Sequence, residues 1–138
     1  MRILIAAALM LAASLQQAHA DIVVIVSASS TVSKLSPELI ARIYQGKSHT
    51  LTPFDLERGS SVRKAFYTRL IGQDDAAVRT REQWSKLVFA GKRAAPKEFH
   101  SAADLVTAVA ADPNAIGYVD SSFINLTVKV IYTVKPQP

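Results

Sequence analysis

The sequence contains no cysteine. That excludes a disulfide-stapled fold, a thiol nucleophile, a thiolate metal centre and a lipidated cysteine anchor. Histidine is scarce as well. Only His49 and His100 lie beyond the N-terminal leader, and they are not spaced as a metal pair. No G-x-S-x-G elbow, no P-loop and no G-x-G-x-x-G turn occurs. Past the leader no apolar run is long enough to span a bilayer. Asp74-Asp75 is a helix start before it is a catalytic pair, because acids favour first turns. An enzyme is therefore not expected, and neither is a metal or a cofactor.

What is present begins with a leader. Met1-Arg2 supplies a positive start, residues 3–15 are almost wholly apolar, and Ala18-His19-Ala20 places small residues where a signal peptidase reads. Cleavage between Ala20 and Asp21 is expected, leaving residues 21–138 as one domain held by its apolar core alone. An exported chain without disulfides fits a bacterial periplasm.

The charge is regional. From Arg58 to Lys97 there are ten Lys or Arg against three acids, while the rest of 21–138 carries five against eight. Such a patch favours anions. Nucleic acid is a poor candidate behind a secretory leader. A phosphate-bearing or carboxylate ligand, an acidic partner or anionic lipid headgroups fit better, and a plain solubilising surface remains the alternative.

In chain order, residues 21–26 form a β-branched run that reads as a buried strand. A hydroxyl-rich loop, 27–31, follows. Ser36-Pro37-Glu38 starts a helix with Leu39, Ile40, Ile43 and Tyr44 as its apolar stripe, and Gly46 stops it. Residues 51–56 read as a strand, with Pro53 at its beginning or on an edge. A helix from Ser60 to Leu70 ends near Gly72. Residues 73–91 read as a further helix with Val78, Trp84, Leu87 and Val88 buried. Residues 92–97 form a basic linker, and Ser101 with Asp104 resembles a capping box. Residues 115–119 form a buried strand in which Gly117 implies a close backbone approach or a bend. Residues 128–134 form the last strand, and 136–138 are a tail. The order β-α-β-α-α-α-β-β predicts an α/β fold with helices on both faces of a central sheet.

The stretch that organises this order is 54–70. A strand end is followed by Glu57-Arg58-Gly59-Ser60, then by Val62, Phe66 and Leu70 at helical spacing. Ser60 stands at the N-cap. A strand–turn–helix brings free amides and the positive end of a helix dipole to one point. Arg58 and Arg63 add charge there, which describes an oxyanion site. The alternative is a capped helix with solvated arginines.

Three segments resemble one family. Residues 35–47, Leu-Ser-Pro-Glu-Leu-Ile-Ala-Arg-Ile-Tyr-Gln-Gly-Lys, are similar to the L-S-x-x-E-L-x-x-I-F-x-G-K segment of periplasmic phosphate-binding proteins of ABC transporters. Residues 58–66, Arg-Gly-Ser-Ser-Val-Arg-Lys-Ala-Phe, resemble their R-x-x-G-S-G-T-R-x-x-F segment, and 114–119, Asn-Ala-Ile-Gly-Tyr-Val, their G-A-I-G-Y-V strand. The segments occur in the family's order. The resemblance implies a type II periplasmic-binding-protein fold, of which this length suffices for one lobe. It implies a solute-binding module that holds phosphate or a similar oxyanion at Arg58, Gly59, Ser60, Ser61 and Arg63. Two departures weaken the match. Ser61 stands where the family has glycine, adding a Cβ, and Val62 replaces a threonine, losing a hydroxyl. Half a two-lobed site buries little ligand, so binding should be weak unless a second copy or an acidic partner closes it. The implied partner is a membrane transporter or receptor. The alternative is a periplasmic interaction or sensory module that kept the fold and lost the ligand.

Overall fold

The computed structural model describes residues 21–72 and 96–134. The leader, the expected helix over 73–91 with Trp84, residues 92–95 of the expected linker and the tail lie outside the described residues.

Strand β1, Ile22–Ser27, is buried at all six positions, as an uninterrupted β-branched run must be when both faces of a sheet are covered. Its neighbours are β4, Ala115–Asp120, on one side and β5, Val128–Val134, on the other, both antiparallel. Beyond β4 lie β2, Thr52–Leu56, and then β3, Lys97–Phe99. The sheet order is β3-β2-β4-β1-β5, and β2 runs parallel to both β3 and β4. Parallel pairing requires long crossovers, commonly helical. The one from β3 to β4 carries a helix, α3, Ala102–Ala110.

Two consecutive residues of β4 show that helices cover both faces. A Cβ built on Gly117 would lie 2.6 Å from Leu105 Cδ2 and 3.0 Å from Val109 Cγ2, so α3 presses on that face against bare backbone. The next residue points the opposite way. Tyr118 stacks on Phe66 with ring centroids 3.9 Å apart and planes 4° from parallel, and it meets Tyr44 edge-on at 5.8 Å. Tyr44 belongs to α1, Pro37–Tyr44, and Phe66 to α2, Ser61–Phe66. The Tyr44 hydroxyl donates to Phe54 O and Ile116 O, stitching α1 to β2 and β4.

The helix starts follow the sequence. Ser36 caps α1 with Pro37 behind it, and Gly46, at φ 78°, is the left-handed residue beyond its end. Past Phe66, α2 widens into a π turn, Tyr67–Ile71, and ends at Gly72 with φ 83°. This alters the expected apolar face. A wider turn advances the buried position by one residue, so Tyr67 and Ile71 are buried while Leu70 is only half-buried; Val62, ahead of the π turn, is half-buried beside the buried Arg63.

Lys97 corrects the sequence reading, which placed it in a linker. Lys97–Phe99 is a strand pairing Phe54, Asp55 and Leu56 of β2. It is short, charged and at the sheet edge, where charge discourages further pairing. Three such residues leave no periodicity to read. Pro53 lies ahead of that pairing, so its missing N–H costs the β2–β3 ladder nothing.

Candidate functional site

Because β2, β3 and β4 are mutually parallel, their carboxyl ends lie along one edge of the sheet. In open α/β sheets that edge is where ligands gather. Here each strand runs into a capped helical start. After β2, Ser60 N donates to Glu57 O at 3.0 Å to close the turn, and Ser60 Oγ accepts from Arg63 N at 3.1 Å. After β3, Ser101 Oγ accepts from Asp104 N at 3.1 Å. After β4, Asp120 Oδ1 accepts from Ser122 N at 2.9 Å, capping the short 3-10 turn Ser121–Phe123. Glu57 N donates to Phe99 O at 3.0 Å, and His100 Nδ1 lies 3.1 Å from Glu57 Oε2, so the first two turns are tied together.

These turns enclose a cavity of about 360 Å³. Gly59, Ser60 and Val62 line it from the first turn, His100, Ser101 and Ala102 from the second, and Asp120 and Phe123 from the third. The amides of Ser61 and Val62, and of Ala102 and Ala103, precede the first bonded turn of their helices, so the helices themselves offer them no acceptor. A Cβ built on Gly59 meets nothing within 4 Å, so the bareness of that residue serves no packing contact.

The two arginines of the turn do not line the cavity, and neither does Ser61, which is exposed. Arg58 is exposed, and its Nε lies 4.0 Å from Glu98 Oε2. Arg63 is buried at 1% exposure. Its Nη1 donates to Leu56 O at 2.7 Å and lies 3.2 Å from the same Glu98 oxygen. Both guanidinium groups therefore converge on one carboxylate. The exposed, long Arg58 contact is worth about 0–1 kcal/mol; the Arg63 contact, with one partner fully desolvated, is the stronger constraint.

Beneath Arg63 lies a second carboxylate. Asp55 is fully buried and accepts from the Tyr118 hydroxyl at 2.5 Å and the Tyr67 hydroxyl at 2.8 Å. Tyr118 in turn accepts from Leu56 N at 3.2 Å. Burial pushes the Asp55 carboxyl up to about 6. The Tyr118 hydrogen bond, the Arg63 charge and the Tyr67 hydrogen bond hold it back, and Glu98 raises it further. Burial, with the Asp55 charge second, raises the Tyr67 and Tyr118 hydroxyls above their ordinary range, so both remain donors. With Asp55 ionised, two arginines face two carboxylates, and the positive field that the sequence suggests at this turn is largely neutralised.

No protein-family model matches the sequence, and no curated protein matches it. Solved structures do. A protein described as a phosphate ABC transporter substrate-binding protein from Clostridium perfringens, solved with bound phosphate, superimposes with a TM-score of 0.65 at 20% identity, covering 81% of this chain and 44% of its own. The fold is that of one lobe of this substrate-binding protein. An ABC-type phosphate transport receptor from Vibrio cholerae matches this lobe with a TM-score of 0.62 at 17% identity, over 81% of this chain and 45% of the receptor. PstS from Borrelia burgdorferi gives 0.60 at 12%, over 81% and 46%. The lobe thus spans less than half the length of the structures it matches, and at these identities the likeness is one of fold.

Of the five residues singled out in the sequence, Gly59 and Ser60 line the cavity, and Arg58, Ser61 and Arg63 do not. Sequence reasoning missed the wall made by His100, Ser101 and Ala102, as well as Asp120, Phe123 and the part played by Glu98. The cap at Ser101 is visible in the sequence, whereas the cap at Asp120 is not read from it. Only the parallel strand pairing brings them to the first turn.

Proposed function

We propose that this chain is an exported, non-enzymatic solute-binding module that holds phosphate or a similar oxyanion weakly at the start of α2. The observation that carries the reading is the convergence of two serine-capped helix starts, at Ser60 and Ser101, on one cavity beside an arginine pair. In this reading the anion meets the amides of Ser61 and Val62 past the bare backbone of Gly59. Ser60 presents its hydroxyl, Arg58 swings over the site, and Arg63 contributes its field from below. Residues 1–20 act as a cleaved leader, residues 21–138 as one binding-protein lobe in the periplasm, and a membrane transporter or receptor takes up the loaded form. The bound phosphate of the Clostridium perfringens structure supports the choice of ligand at the level of fold. With the cavity open on one side, affinity is expected in the millimolar range, about −4 kcal/mol.

A second reading, an interaction or sensory module without a ligand, is favoured by the Arg63–Glu98 pair and by Val62, an apolar side chain in the cavity wall. Titrating phosphate into isotopically labelled protein separates the two. Saturable amide shifts confined to residues 59–62 and 101–103 support binding, and their absence at tens of millimolar supports the second reading.

A further inference from the structure

We infer that Glu98 is the residue that sets anion affinity at this site, acting as an internal competitor for Arg58. The inference rests on the oxyanion reading above. Its basis is geometric. A single oxygen, Glu98 Oε2, lies 3.2 Å from Arg63 Nη1 and 4.0 Å from Arg58 Nε. At 3.2 Å the carboxylate holds Arg63, and at 4.0 Å it lies within ion-pair reach of Arg58, the exposed guanidinium that an anion at the turn would draw on. Glu98 stands on edge strand β3, in register with Asp55 of β2, and its side chain is 39% exposed. Arg63 enters from α2, between Asp55 and Glu98, and also holds Leu56 O at the floor of the cavity. Arg58 precedes Gly59 in the cavity wall and carries a side chain 73% exposed. It is therefore the arginine that can leave Glu98 for an anion at the turn, whereas Arg63 stays fixed. While Glu98 is charged, an incoming anion gains little from Arg58, because moving it exchanges one carboxylate for another acceptor and leaves Glu98 facing the ligand with like charge.

The test is a double-mutant cycle with inorganic sulfate, whose charge is constant across neutral pH, and with phosphate as a second probe. Dissociation constants are measured by amide chemical shift for the wild-type protein, Glu98→Gln, Arg58→Ala and the double variant. Releasing Arg58 from its contact with Glu98 should tighten sulfate binding about twofold to fivefold in Glu98→Gln. Arg58→Ala should change it less than about twofold in the wild type and remove most of the gain in the Glu98→Gln background. A gain that survives Arg58→Ala overturns the inference, because net charge would then explain it without competition. Equal, measurable affinities in wild type and Glu98→Gln also overturn it while leaving the oxyanion reading intact. No binding in any variant overturns the reading and the inference together. Should Glu98→Gln fail to give a dispersed spectrum, Glu98→Asp keeps the charge on a shorter arm. It is expected to bind sulfate more tightly than wild type, and equal affinity in that variant counts against the inference.

Discussion

Asp55 is a carboxyl group with no exposed surface, under α2 and between two tyrosine hydroxyls. Among the described residues, the groups that face it include Arg63 from α2, Tyr67 from the π turn, Tyr118 from β4, Tyr44 from α1 and Glu98 from β3. Its pKa of about 6 exceeds the ordinary 3.8, so the folded chain holds a proton there that the unfolded chain has released. The stability this contributes is full below about pH 4 and is lost as pH rises through 6. Two pKa units correspond to about 3 kcal/mol. Urea denaturation of the wild-type protein should therefore show this share of stability falling between about pH 4 and 6.5. Asp55→Asn should flatten that slope while costing some stability, because its amide cannot accept from both tyrosines. A slope identical in the two proteins would assign the titration to another group. None of this was legible in the sequence, where Asp55 stands in a strand-like stretch with nothing to mark it as buried; its environment is made by residues 8, 12 and 63 positions away.

At the scale of elements, the strand–turn–helix at 52–66 and its counterpart at 97–110 do the positioning. Ser60 and Ser101 satisfy one amide each and fix where their helices begin. Ser60→Ala should cost about 1 kcal/mol in denaturant midpoint terms and weaken any anion binding at the cavity, while Ser36→Ala, the cap of α1, should cost stability alone. Equal effects of the two on binding would separate the cavity from the α2 start. Gly117 tests the packing behind the site. With Leu105 fully buried and Val109 stiff at χ1, Gly117→Ala leaves the new methyl nowhere to go, and a loss of about 1–3 kcal/mol is expected by thermal or urea denaturation. That close approach was readable from a lone glycine in an apolar strand. The caps, the left-handed stops at Gly46 and Gly72 and the buried run of β1 were readable too, because each is written in a few adjacent residues. Strand β3 and the π turn were not. One is three residues long, and the other shifts a helical stripe by one position without changing its composition.

For the molecule as a whole, the order of strands and helices predicted an α/β layer arrangement, and the mixed five-stranded sheet with helices on both faces realises it. Among the described residues no helix is long and apolar enough to cross a membrane. The candidate site was half legible. The turn at 57–63 stood out by charge and capping, but its arginines looked available because the sequence does not show that Glu98, 35 residues beyond Arg63, lies across the β2–β3 pair from them. The property on which every functional statement here depends is the capacity of the cavity at the strand ends to take an oxyanion. The most direct measurement is the amide spectrum of the purified protein during a phosphate titration at fixed ionic strength. Saturable shifts at Gly59, Ser60, Ser61, Ser101 and Ala102, with a dissociation constant of about a millimolar, are predicted. Shifts spread evenly over the lobe and linear in phosphate, or none at all, would contradict it.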